Sequence, residues 1–196
     1  MSPSYFESIC VRDGQPRLLH LHQARLWKTM GSVGPGLEEL LAPLIPPSRG
    51  VFKVRIDYNL MGDILSCDIS PYTPRPISSL ALVECPDLDY SLKSTDRSAL
   101  EQARQSRREA SDVIITQDGF LTDTTYSNLV FGDGSRWVTP AHCLLPGIKR
   151  QYLLEAGAIT ASPLRAADIG RFPFCSLINA MLDPGDVLIP TSAIIL

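Results

Sequence analysis

The sequence predicts a mixed fold of the α/β (α+β) class, built as two small domains. Three observations predict it. Strand-like and helix-like runs are interleaved along the chain. A stiff stretch holding Pro71, Pro74 and Pro76 separates two such runs. The length, 196 residues, suits two small units with packed cores. The expected division is an N-terminal domain over 1–76 and a C-terminal domain over 77–196. Roughly 70% of the unfolded surface is buried at this size, so neither disulfide nor metal staples are needed.

Each element has a local reason. Tyr5–Val11 mixes aromatic and β-branched residues and reads as a strand. Asp13-Gly14 is a hairpin turn, and Arg17–Leu21 is expected as the returning strand. From His22 to Met30 the apolar spacing becomes helical and ends at Gly31 and the Gly34-Pro35-Gly36 cluster. Leu37–Leu44 is a short helix stopped by Pro46-Pro47. Val51–Tyr58 alternates strictly, which puts Lys53, Arg55 and Asp57 on one face. Asp63–Ser70 is its expected partner across the Asn59–Gly62 turn.

The second half opens with a strand at Leu80–Glu84 and a helix at Ser98–Ala110. Gln117-Asp118-Gly119 joins Val113–Thr116 to Phe120–Thr122, and Gly132-Asp133-Gly134 joins Leu129–Phe131 to Trp137–Thr139, as two hairpins. Gly147 precedes a helix over Ile148–Ala156, which Gly157 ends. Ala158–Pro163 is a short strand, Ala166–Ile169 a helical turn, Cys175–Met181 an apolar strand, and Val187–Ile189 a last one. No internal repeat or low-complexity segment interrupts this order.

Composition excludes several function classes. Charged residues make up 20%, apolar residues 44%, and the net charge is −3. That balance is ordinary globular, with no basic block to neutralise a phosphate backbone, so nucleic-acid binding is not expected. No apolar run approaches the ~20 residues that span a bilayer, and no N-terminal signal is visible, so no membrane partner is expected. Five cysteines, an odd number without a C-x-x-C pair, read as reduced thiols in a cytoplasmic protein. Of the three histidines, His20 and His22 could share a strand face, but no carboxylate or cysteine stands beside them at metal spacing. No metal site is expected.

Several ordered patterns carry more. His22-Gln23-Ala24-Arg25-Leu26 has the form H-x-x-R-L at a helix start. Lys93 lies in Leu92-Lys93-Ser94-Thr95-Asp96-Arg97, just ahead of a helix. Gly119-Phe120-Leu121-Thr122-Asp123 leads to Asn128-Leu129, five residues after the aspartate. Leu145-Pro146-Gly147-Ile148-Lys149-Arg150 precedes another helix, and Leu177-Ile178-Asn179-Ala180 follows near the C-terminus. Taken singly these have plain readings. Lys93 is a surface cation, Asp123 a turn-capping aspartate, Arg25 an exposed helix arginine and Gly147 a loop glycine.

Taken in order, from about Phe6 to about Pro184, they resemble the class IV aminotransferase family of fold-type-IV pyridoxal-phosphate enzymes. The resemblance implies two domains of the D-amino-acid aminotransferase-like type with the cofactor, pyridoxal 5'-phosphate, between them. It makes Lys93, assigned to the C-terminal domain, the Schiff-base lysine and proton shuttle. Asp123 stands where the family has Glu and pairs with the ring nitrogen, keeping the ring an electron sink, though one methylene shorter. By the same resemblance, Arg25 and the N–H groups of Gly147 and Ile148 at a helix start are expected to bind the phosphate. Asn179 and Ala180 match a second phosphate loop, with Ala180 where the family has Ser or Thr. Asn128 reads as a structural residue that holds a turn.

The substrate implied is an amino acid or amino-substituted acid. Arg55 is a candidate to hold its carboxylate, and an edge-strand charge that blocks aggregation is the other reading. Lys53 and Arg97 share that ambiguity. The Leu-Lys-x-x-x-Arg wording is similar to the aminodeoxychorismate lyase-like members, which make 4-aminobenzoate and pyruvate for folate biosynthesis. An aminotransferase acting on branched-chain or D-amino acids, or a cofactor-binding member without turnover, are the alternatives. Family chains carry about one more hairpin before the Phe6-Glu7-Ser8 segment, on the substrate side of the pocket. The resemblance also implies a homodimer.

Overall fold

The computed structural model describes residues 3–31, 34–45 and 49–196. It divides into two compact units, one of residues 1–73 with Leu92–Asp96, the other of Pro74–Ser91 with Arg97–Leu196.

The first unit is built on an antiparallel sheet. Its strands are β1 (Ser4–Arg12), β2 (Gln15–Pro16), β3 (Val51–Asn59) and β4 (Ile64–Pro71), in the order β2-β1-β3-β4. Asp13 and Gly14 take positive φ values of 52° and 76°, the backbone a tight hairpin turn requires. The return strand is much shorter than Arg17–Leu21. After Pro16, Leu18 turns left-handed at φ 53° and α1 (Leu19–Met30) begins at once. The alternating Leu-Leu-His-Leu-His letters read as strand, but His22, Leu26, Thr29 and Met30 make a helical buried stripe. His20 is therefore exposed and His22 buried, on different sides of a helix rather than one strand face.

Gly31 ends α1 at φ 67°, and α2 (Leu37–Leu41) follows, shorter than expected. The Pro46-Pro47 stop lies outside the described residues. The strict alternation of β3 buries Val54, Ile56 and Tyr58 with Ile9, Val11, Leu26, Leu37 and Leu41. Opposite pairing of Phe6 with Asp57 and Ser8 with Arg55 sets these side chains on the other face, while Glu7 pairs with Ile56 on the core face. Because β3 lies between β1 and β4, Arg55 is not an edge charge.

The second unit contains β5 (Leu80–Glu84), α3 (Ser98–Gln105), β6 (Asp112–Gln117), β7 (Phe120–Thr124), β8 (Asn128–Gly132), β9 (Trp137–Pro140), α4 (Ile148–Glu155), β10 (Thr160–Ser162), β11 (Phe174–Ile178), β12 (Leu188–Pro190) and β13 (Ile194–Ile195). The sheet order is β10-β9-β8-β7-β6-β5-β13, with β11 also on β8 and β12 on β11. The parallel pairs β5–β6 and β9–β10 are each bridged by a helix, α3 and α4, as parallel neighbours require. Asp118 and Gly119 at φ 52° and 73° make the β6–β7 turn that the sequence predicts. Leu100 and Ala103 of α3 pack on Val113 and Ile115, and Leu153 of α4 packs with Val130, Ile159 and Ile178.

The chain divides three residues before the expected boundary. Leu92–Asp96, expected in the second domain, groups instead with the first. The cause is backbone pairing with β1. Phe6 N–H donates to Lys93 O at 2.9 Å, Thr95 N–H donates to Ser4 O at 2.9 Å, and Tyr5 bridges Ser94.

Candidate active site

In the first unit β1 organises the charged groups. Glu7 is wholly buried on its core face. His22 and Arg25, three residues apart on one face of α1, both reach it. His22 Nδ1 lies 2.6 Å from Glu7 Oε2, Arg25 Nη2 donates to the same oxygen at 2.5 Å, and Arg25 Nε donates to Oε1 at 2.8 Å. Burial alone would raise the Glu7 carboxyl. The Arg25 charge and hydrogen bonds, joined by those of His22, outweigh it and pull the pKa down to about 2. Burial lowers the His22 pKa against the pull of Glu7, which leaves its ring neutral. Arg25 is thus a clamped guanidinium with 13% of its side chain exposed.

Phe6, the neighbour of Glu7 in sequence, organises two cations. The Arg55 guanidinium stacks 4.0 Å from its ring centroid and Lys93 Nζ lies 4.6 Å from it. Arg55 also pairs with Asp57, Nε to Oδ1 at 2.7 Å. The backbone bond from Phe6 to Lys93 and the ring contact together hold Lys93 by both ends. Lys93 is half-buried.

In the second unit Asp123 and Asn128 stand directly opposite each other where β7 meets β8, joined by the turn Thr124–Ser127. The turn is closed by Thr124 N–H donating to Ser127 O at 2.9 Å and Ser127 N–H donating to Thr124 Oγ1 at 3.1 Å. Asp123 Oδ1 accepts from Asn128 Nδ2 at 2.7 Å, and Oδ2 accepts from Leu145 N–H at 2.9 Å. Burial pushes the Asp123 carboxyl up to about 6 against these donors. Gly147 caps α4, whose first residue, Ile148, is buried. Asn179 donates from Nδ2 to Ser127 Oγ at 2.8 Å and accepts from Met181 N–H at 2.9 Å, which shapes the turn holding Ala180. Arg97 donates from Nη2 to Thr125 O at 2.6 Å.

The structure therefore gathers the predicted residues as two groups. Lys93, Arg25 and Arg55 surround β1, while Asp123, Gly147, Ile148, Asn179, Ala180 and Arg97 surround the β7–β8 turn. Sequence reasoning passed over Glu7, Phe6 and the Leu145 N–H. The signal for Glu7 was a single acidic residue inside the apolar run Tyr5–Val11. A buried acid needs a partner, and His22 and Arg25 are spaced to supply one.

The groups fit pyridoxal phosphate on chemical grounds. Asp123 is a buried carboxyl that Asn128, the Leu145 N–H and the Arg150 charge only partly offset against its burial, and a protonated ring nitrogen beside it would favour its ionised form. Lys93 has the amine that an aldehyde would need, and Arg25 the guanidinium that would suit a phosphate. Among the described residues no cluster of three or more His, Cys, Asp or Glu is placed to hold a metal ion.

Comparison with known proteins gives the class of enzyme. The family model for amino-transferase class IV matches residues 48–187. An uncharacterized protein of Haemophilus influenzae is 30% identical over 183 residues, 90% of this chain and 96% of that one. A Schizosaccharomyces pombe protein named "putative aminodeoxychorismate lyase" is 28% identical, over 81% of this chain and 77% of that one. Among solved structures, a "putative 4-amino-4-deoxychorismate lyase" from Haemophilus somnus 129PT superposes with a TM-score of 0.84 at 30% identity, covering 92% of this chain and 97% of that one. The chain belongs to the amino-transferase class IV family, whose members are pyridoxal-phosphate-dependent aminotransferases and lyases. Among the described residues no helix is long and apolar enough to cross a membrane.

Proposed function

We propose that the protein is a pyridoxal-phosphate lyase of the aminodeoxychorismate lyase type, releasing 4-aminobenzoate and pyruvate in folate biosynthesis. The observation that carries this reading is the likeness to the Haemophilus somnus structure over nearly the full length of both chains. The bound cofactor supplies an aldehyde that takes up amines and a protonated ring that draws electrons from the reacting carbon.

The protein's own groups do the rest. Lys93 Nζ would hold the cofactor, and as a free amine it would take the proton from the substrate carbon. The Phe6 ring, 4.6 Å from Nζ, would steady the ammonium formed when the amine takes up that proton. Asp123 would accept the ring N–H, and Arg25 and the N–H groups of Gly147 and Ile148 are the groups that would hold the phosphate. Asn179 shapes the turn at Ala180, where a hydroxyl contact to the phosphate would be lost and backbone N–H contacts would remain. Arg55 and Arg97 hold the substrate carboxylates.

The protein works as a homodimer in the cytoplasm. Its five thiols form no disulfide, in keeping with a reducing compartment, and sedimentation at micromolar concentration tests the dimer. The reaction is tested by adding aminodeoxychorismate to the holoenzyme without any keto acid. Formation of 4-aminobenzoate supports the lyase. Strict dependence on 2-oxoglutarate or pyruvate overturns it in favour of an aminotransferase, and inertness with every amino donor in favour of a binding protein.

A further inference from the structure

Gly147 precedes α4, where a phosphate-binding helix start leaves no need for a side chain. The structure gives a different reason for the glycine. Its φ of −68° and ψ of 143° suit any residue, so no backbone demand selects it. A Cβ at this position would fall 2.0 Å from Asn128 Oδ1 and 3.1 Å from its Cγ. Asn128 cannot step aside cheaply. It is 5% exposed, and its Nδ2 donates both to Asp123 Oδ1 at 2.7 Å and to Leu145 O at 3.0 Å. Leu145 in turn donates its N–H to Asp123 Oδ2 at 2.9 Å. Asp123, Asn128 and Leu145 thus close a ring of three hydrogen bonds, with Gly147 packed against its middle member.

We infer that Asn128 is a positioning residue that locks the Asp123 carboxylate to the Leu145–Gly147 turn, and that Gly147 is glycine in order to admit it. One side chain then sets both the carboxylate and the approach to α4. This rests on the proposed role of Asp123 for its meaning in catalysis, but its geometry stands in the cofactor-free protein. The carboxylate is approached from two sides by fixed donors, so its oxygens keep one orientation. Aspartate in place of a longer acid leaves little slack, and a tether within the same ring of bonds removes what remains.

The test is a double-mutant cycle on the cofactor-free protein. Gly147→Ala alone must push Asn128 off its two acceptors, and should lower Tm by about 5–10 °C. In the Asn128→Ala background the same change meets open space and should add less than about 2 °C. Asn128→Ser serves the same purpose if the alanine variant does not fold. Equal losses from Gly147→Ala in both backgrounds overturn the inference.

A second readout separates positioning from mere packing. Carbon-detected NMR titration of the Asp123 carboxyl should show its midpoint rising when Asn128 is replaced, because a donor to the ionised form is lost. An unmoved midpoint overturns the positioning role. Neither readout uses bound cofactor, so failure to bind pyridoxal phosphate would sink the proposed function and leave this result standing.

Discussion

Replacing Glu7 with glutamine removes the buried charge that faces His22 and Arg25. The carboxamide keeps one acceptor oxygen and turns the other into an NH2 group, and both carboxylate oxygens now receive donors. One N–H must therefore point at another. The magnitude follows by two routes. A carboxyl held at about 2 against 4.5 contributes about 3 kcal/mol at neutral pH, at 1.36 kcal/mol per unit. Removing one partner of a buried ion pair costs about 3–5 kcal/mol. At about 2–4 °C per kcal/mol for a chain of this size, Tm should fall by roughly 10 °C.

The pH dependence has a definite sign. The folded pKa is depressed, so the contribution is complete above pH 4.5 and is lost as pH falls from 4.5 through about 2. Circular-dichroism melts of cofactor-free wild type and Glu7→Gln at neutral pH read the first quantity. Urea unfolding at a series of pH values from 5 to 2 reads the second, and the gap between the proteins should close over that range. A variant that melts within about 2 °C of wild type, or a gap that stays constant down to pH 2, would refute the buried-clamp account.

Two further outcomes follow from the site. Asp123 has the opposite sign from Glu7, because burial raises its carboxyl from 3.8 to about 6. The cofactor-free protein should lose about 3 kcal/mol as pH rises from 3.8 through about 6. Asp123→Asn should lack that decline in urea unfolding, and a wild-type curve without it contradicts the buried carboxylate. Arg55→Met keeps a long side chain over Phe6 but removes the charge. It should raise KM about tenfold or more with little change in kcat, since a charge-assisted hydrogen bond contributes about 1.5–3 kcal/mol. An unchanged KM in steady-state kinetics would confine Arg55 to its pairing with Asp57.

The two Asp-Gly turns and β3 were legible because their signals are local. Strict alternation fixes the faces of Val51–Tyr58, and Asp-Gly turns fix Asp13-Gly14 and Asp118-Gly119. Arg17–Leu21 was misread because its five letters fit a strand as well as the first turn of α1. Only the buried stripe through Leu26 and Met30 decides between them. The placement of Leu92–Asp96 was hidden for another reason. Its backbone pairs with β1, far earlier in the chain, and no local pattern reports a bond of that span.

Residue types in order singled out Lys93, Arg25, Asp123 and Gly147 as candidates. What each side chain touches was not. Arg25 is gripped by Glu7, and Gly147 is crowded by Asn128. Arg97 is tied to Thr125 O. Those contacts come from strand register and turn closure, which bring together residues whose spacing in sequence carries no sign of it. The two-residue strand β13 lacked a signal as well, since so short an apolar end fits many conformations.

The most direct test of the account is the visible absorption of the purified protein with pyridoxal phosphate, for wild type and Lys93→Ala. The account predicts a yellow band in wild type that borohydride reduction fixes to Lys93, and no such band in the variant. A band of equal strength in Lys93→Ala, or none in wild type, would contradict it.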